Sequence, residues 1–157
     1  MSILKLDMSD EQSLLEVDQP MLRRTVEFVV DHFALSSATI SLAIVDDDTI
    51  QELKGRYFGQ CVVTDVISFN LLSVVSGEDE KEALDSEVVV NAKQAKREAD
   101  EKQTDPQAEL NLYVVHGLLH PLGFDDATEA QSKVMHQKED ELLEQLGLGK
   151  VFSGRNS

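Results

Sequence analysis

QAELNLYVVHGLLH, residues 107–120, is apolar enough to form a helix of the protein core, and a helix apolar all round must be enclosed by other elements. Upstream of it, NAKQAKREADEKQ reads as a helix that starts near Asn91 and ends before Asp105-Pro106, because the residue before a proline is driven away from helical geometry. Further out, SEVVVN (86–91) and VVTDVISFNLL (62–72) are rich in β-branched residues and read as strands. The acidic, Gly-bearing SVVSGEDEKEALD between them reads as an exposed loop. ATISLAIVD (38–46) alternates with period two and is a third strand, after which Asp46, Asp47 and Asp48 offer N-caps for a short helix running to about Gly55. QPMLRRTVEFVVDHFA (19–34) sets Leu22, Val26, Val29, Val30 and Phe33 at helical spacing. Residues 2–7 suit a short edge strand. Downstream, an amphipathic helix covers about 128–146, opened by the capping-box pattern Thr128-x-x-Gln131 and closed by Gly147. Strands and helices in this order imply one α+β domain, a small mixed sheet of about four strands covered by helices.

Composition narrows the function classes. With 41% hydrophobic and 28% charged residues the chain has an ordinary globular balance, and no apolar run approaches the ~20 residues needed to span a bilayer. A single cysteine, Cys61, precludes an internal disulfide and fits a reducing compartment; beside a strand, it reads as a small core residue. MSILKLDMSDEQ has neither the basic flank nor the apolar stretch of a signal peptide, so a cytoplasmic location is expected. The formal charge of −16 points away from RNA, whose non-specific binding depends on basic residues that displace counterions from phosphates. Binding to RNA would then need a local basic face or a protein partner.

The chemistry concentrates in HGLLHPLGFDD, residues 116–126. His116 and His120 are four residues apart, so on a helix both imidazoles leave one face, one turn apart, and two nitrogens can reach one ion. Gly123 follows where the helix needs a residue tolerant of left-handed geometry, and the chain can fold back to bring Asp126 to the same ion. Three protein ligands leave a fourth position for water, the arrangement of a catalytic zinc site. The bland alternative is two surface or core histidines, an ordinary C-cap at Gly123, and Asp125 and Asp126 capping the last helix. The spacing H-x-x-x-H-x-x-G-x-x-D also resembles the zinc motif of metzincin peptidases. Those place a glutamate directly after the first histidine, where this chain has Gly117, which cannot take a proton.

A closer resemblance is to the YbeY family, whose motif is H-G-x-L-H-x-x-G-[YF]-D-H; His116, Gly117, Leu119, His120, Gly123, Phe124 and Asp125 fit it. TDVISF, residues 64–69, is similar to that family's T-D-V-L-S-F strand, and SEVVVN and NAKQAKRE follow in the family's order, so the resemblance spans roughly residues 38–146. It implies a four-stranded α+β fold and one divalent metal, zinc by family habit. It also implies single-strand endoribonuclease activity in small-subunit ribosomal RNA maturation and ribosome quality control. Ribosomal RNA and the small subunit are the implied partners, with a ribosomal protein or a ribosome-associated GTPase as candidates beside them.

The chain departs from the family pattern at three positions. Asp126 replaces the third histidine; a carboxylate is an acceptable zinc ligand but lowers the net charge of the site by one. Phe58 stands where the family has an arginine, a natural partner for phosphate, and Arg56 is the candidate catalytic substitute, with a solvated surface role as the alternative. Pro121 follows His120 and should kink or end the helix there. Elsewhere, Lys93, Lys96 and Arg97 share a helix face and are candidate RNA phosphate contacts, or a solvated face balanced by Glu98 and Glu101. Asp125 either orients a metal-bound histidine or caps the last helix; His32 and His136 are given no role. The leading expectation is a metal-dependent endoribonuclease. The alternative is a ribosome-assembly binding protein whose metal pocket is structural, with a metallopeptidase a distant third.

Overall fold

The computed structural model describes residues 3–74 and 83–151. Their nine elements are β1 (Ile3–Asp10), α1 (Gln19–His32), β2 (Ser37–Val45), α2 (Asp47–Phe58), β3 (Val66–Val74), β4 (Ala83–Asn91), α3 (Ala92–Lys102), α4 (Pro106–Leu119) and α5 (Glu129–Gln145). The strands form one sheet in the order β1-β2-β4-β3; β1, β2 and β4 are parallel, and β3 runs antiparallel to β4 along one edge. The expected α+β domain with a four-stranded mixed sheet is therefore what the chain builds.

Alternation places the core. Ala38, Ile40, Leu42 and Ile44 of β2, with Leu84, Val88 and Val90 of β4, pack one sheet face against Leu22, Val26, Val29 and Val30 of α1 and the apolar length of α4. Leu4, Leu6 and Met8 of β1 cover the rim of that core. The opposite face is covered at one end by α2, where Val45, Ile50, Ile67 and Val89 form a second, smaller cluster. Helix α4 is enclosed nearly all round, as its composition requires, and this fixes its position against β3 and β4.

Several boundaries differ from the sequence expectation for physical reasons. Helix α2 runs past Gly55 to Phe58 and stops at Gly59, whose φ of +71° is the left-handed stop. Gly55 lies inside the helix, and its lack of a side chain makes room for the chain turning back: an added Cβ would lie 2.5 Å from Cys61 Sγ. Cys61 is thus exposed, not a core residue, since it belongs to an unpaired stretch and not to a strand flank. Strand β3 begins at Val66, not residue 62, because β4 turns into α3 at Asn91 and leaves residues 62–65 no strand to pair with. Conversely, the expected loop of residues 73–85 is partly ladder, with Ser73 paired to Leu84 and Val74 to Ala83; residues 75–82 lie outside the described residues. Asn91 holds this corner together: its side chain caps α3, accepting from Lys93 and Gln94, and donates to Asp47 Oδ1 and to the Thr64 carbonyl. The last helix opens on the capping box at Thr128 and Gln131, and Gly147 (φ +87°) follows its end.

Candidate metal centre

The centre is built on the C-terminal turn of α4. Gly117 lets that turn lie close on the sheet, because a Cβ there would meet Val88 Cγ1 at 2.7 Å and Val66 Cγ2 at 3.1 Å. Helix α4 ends at Leu119, as Pro121 requires, with His120 still in right-handed geometry. Pro121 has no N–H to donate to the carbonyl four residues back, that of Gly117. The Ser68 hydroxyl donates to it instead, at 2.5 Å. This ties the two sequence blocks together: TDVISF supplies the hydroxyl and the apolar contact that seat the histidine-bearing turn.

Beyond Leu119 the chain tightens through bonds from the Leu122 and Phe124 amides to the Leu119 carbonyl and from the Gly123 amide to that of His120. Gly123 (φ +106°) then reverses its course, and Phe124 packs edge-on against Phe33, fixing the exit. Asp126 returns to the histidines. His116 Nε2 and His120 Nε2 are 3.1 Å apart, and Asp126 Oδ2 lies 3.8 Å from the first and 3.9 Å from the second. All three candidate ligand atoms lie within 4.8 Å of one another. A tetrahedral zinc ion with bonds of ~2.0–2.1 Å holds its donors about 3.3 Å apart, so two imidazoles and a carboxylate in this arrangement fit such an ion after a small movement of the exposed Asp126.

Sequence reasoning missed Glu139. This carboxylate of α5 is 1% exposed and accepts from both neighbouring imidazoles, Oε2 at 2.5 Å from His116 Nδ1 and Oε1 at 2.8 Å from His136 Nδ1. Its bond to His116 Nδ1 fixes the tautomer that leaves the Nε2 lone pair facing the other two ligands. The signal was present: Glu139 falls between Met135, Leu142 and Leu143 on the buried stripe of α5, where an acid needs a partner. Asp65, Asp126, His116, His136, Glu139 and the apolar walls Leu112 and Tyr113 line a cavity of about 220 Å³. Burial works to lower the His116 pKa. The Glu139 hydrogen bond and the charges of Glu139, Asp65 and Asp126 outweigh it and hold the imidazole above its ordinary value. Three carboxylates around two imidazoles make this a place for a cation.

The remaining sequence candidates lie elsewhere. Asp125 accepts from the Asp126 amide, while Glu139 orients the histidine and Thr128 caps α5, so neither role considered for Asp125 is the one its hydrogen bond serves. Arg56 is exposed on α2 and paired with Glu52 at 2.8 Å, and it is not among the side chains lining the cavity. Lys93 and Arg97 pair with Asp47, and Lys96 with Asp100. The Arg97 bond holds the Asp47 carboxyl below its usual range. Among the described residues, no helix is long and apolar enough to cross a membrane.

Comparison with known proteins gives one consistent picture. A relative from Salinibacter ruber, described as endoribonuclease YbeY, is 38% identical, covering 82% of this chain and 83% of its own length. A second with the same description, from Lysinibacillus sphaericus, is 32% identical and covers 94% of this chain and 99% of its own. A solution structure of a protein from Thermotoga maritima superposes with a TM-score of 0.60 at 24% identity, over 90% of this chain and 88% of that one, which establishes likeness of fold. The family model described as endoribonuclease YbeY matches residues 7–147, and the chain with its paired histidines belongs to that family.

Proposed function

We propose that the protein is a metal-dependent endoribonuclease that hydrolyses phosphodiester bonds in single-stranded RNA, acting in the maturation of small-subunit ribosomal RNA and in ribosome quality control. The observation that carries it is the convergence of His116, His120 and Asp126 beside a water-accessible cavity, in a chain whose relatives are described as endoribonucleases. One divalent ion, zinc by the chemistry of the donor set, would be held by those three side chains and would supply Lewis-acid polarisation of a phosphate and acidification of a bound water. Glu139 holds His116 in the ligating tautomer, Ser68 and Gly117 seat the helix turn, and Asp65 adds negative charge to the cavity beside His116. Ribosomal RNA and the small subunit are the proposed partners, with a ribosomal protein or ribosome-associated GTPase as candidates to deliver an RNA that a −16 chain does not attract at long range. Arg56, Lys93, Lys96 and Arg97 could contact phosphates only by exchanging their carboxylate partners Glu52, Asp47 and Asp100.

Those committed cations favour a second reading, a ribosome-assembly binding protein with a structural metal. One assay separates the two. Metal-loaded wild type and His116→Ala are compared on a single-stranded ribosomal RNA fragment, with chelator controls. Cleavage by wild type that vanishes in the variant and with chelator is the expected result. Equal trace cleavage in both would sink the nuclease reading.

A further inference from the structure

We propose that the free edge of β1 is an interface between two copies of this chain, whose β1 strands pair antiparallel in one register, Leu6 opposite Leu6. Strand β1 closes the sheet on the side away from β3 and the metal centre. The amides of Ile3 and Glu11 donate to β2, to the carbonyls of Ser36 and Ile44, so the odd-numbered residues between them also turn their backbone groups toward β2. Leu4, Leu6 and Met8 then aim their N–H and C=O groups outward, and among the described residues no other segment bonds to them. The side chains of these three residues lie half-buried along the rim of the core. Those of Lys5 and Asp7 alternate with them and stand exposed on the open face of the sheet.

The strand is complementary to itself. A two-fold axis normal to the sheet makes the paired strands antiparallel and keeps like faces together. With the axis at Leu6, Leu4 meets Met8 and Leu6 meets Leu6 as hydrogen-bonded pairs, each exchanging both bonds, and the apolar rim continues across the junction. Lys5 meets Asp7 in the non-hydrogen-bonded pairs, where side chains come closest. These charges make a square in which every neighbour, along and across the strands, has the opposite sign. Sliding by two residues either way sets Lys5 against Lys5 or Asp7 against Asp7, and sliding by one sets outward groups against groups already bonded to β2. Among the described residues neither Lys5 nor Asp7 has an ion-pair partner, unlike Lys93, Lys96 and Arg97. Asp7 shares a cavity of about 230 Å³ on its face with Glu11 and Glu87, so the place opposite Asp7 suits a cation, and Lys5 of the second copy supplies it. Two chains of charge −16 repel at long range, but at about 0.15 M salt the Debye length of about 8 Å confines that repulsion while charges in contact keep their attraction. Charged residues on an edge strand can equally serve to keep it single, and the test includes that outcome.

The experiment is sedimentation equilibrium of the full chain from about 1 to 500 µM at about 0.15 M salt. One strand edge is a small interface, so wild type should dimerise with a Kd on the order of tens of micromolar. Lys5→Asp and Asp7→Lys each put like charges opposite one another and should weaken self-association by about tenfold or more. An equimolar mixture of the two variants should form a heterodimer at least as tight as the wild-type dimer, and the double variant Lys5→Asp/Asp7→Lys should recover self-association. Both side chains are exposed, so the melting temperature of dilute protein should not move. Amide hydrogen exchange reads the backbone: protection at Leu4, Leu6 and Met8 should rise with protein concentration, while that at Lys5 and Asp7, already bonded to β2, should not. The interface is refuted if wild type stays monomeric at every concentration, which leaves the charges as guards of a single edge. It is also refuted if the single variants dimerise as wild type does, or if their mixture associates no better than either alone. Neither metal nor RNA enters these measurements, so their outcome is separate from that of the nuclease reading.

Discussion

The two halves of the candidate metal centre are held in different ways. The histidine half sits on a helix enclosed by the core, with its Gly117 carbonyl tied to Ser68 and its His116 ring tied to buried Glu139. The aspartate half sits on an exposed loop after Gly123, and its carboxylate stands slightly farther from both imidazoles than they stand from each other. The backbone of both histidines and the ring of His116 are thus set before any ion arrives, and the carboxylate adjusts to it. Such a division gives geometric precision where the backbone is rigid and leaves adaptation to a side chain in water.

If that contrast is correct, substitutions behind the histidines should matter more than conservative changes at the loop. The largest effect is expected from Glu139→Ala, which strips the acceptor from two imidazole N–H groups; zinc affinity, measured by competition with a chromophoric chelator, should fall about 10- to 100-fold. Glu139→Gln, whose amide oxygen can still accept one bond, should lie between. Ser68→Ala leaves the Gly117 carbonyl without its hydroxyl donor and should cost about 1–2 kcal/mol in denaturant unfolding, with a smaller loss of zinc affinity. Asp126→Glu, by contrast, keeps a carboxylate on a loop free to adjust, and should change zinc affinity by less than about tenfold in the same competition assay. A larger loss there than at Glu139 would overturn the comparison.

The smallest effect lies outside both halves, at Asp47, which joins α2 to α3 through Arg97 and Asn91. Its folded pKa lies below the ordinary 3.8, so its stabilisation is present above that value and disappears as pH falls through the lowered one. Asp47→Asn should lower stability near neutrality by less than about 1 kcal/mol. The gap from wild type in a melting series should close below about pH 4, leaving zinc affinity at neutral pH untouched.

What could be read from the sequence follows the range of the interactions. His116 and His120 are legible because helical spacing is local, and Asp126 because Gly123 marks the reversal only three residues before it. For Glu139 the buried position on α5 is legible but the partner is not, since its bond to His116 spans 23 residues and depends on how α5 lies against α4. The strands were legible as apolar runs, but the start of β3 was not, because it is set by where β4 turns into a helix. Cys61 was misread for the same reason: its neighbours are β-branched, yet they have no partner strand. Gly55 suggested a helix stop, whereas the glycine that stops α2 is Gly59, and telling them apart requires knowing that Cys61 packs against the former.

Pro121 has a mechanical consequence. An uninterrupted α-helix closes its own hydrogen bonds and can slide along its axis over a sheet with little polar penalty. By removing one internal donor, the proline exports that bond to a neighbouring strand, and the hydroxyl of Ser68 becomes a stop against axial slip. The depth at which the two imidazoles sit is then indexed to the sheet by a single oxygen.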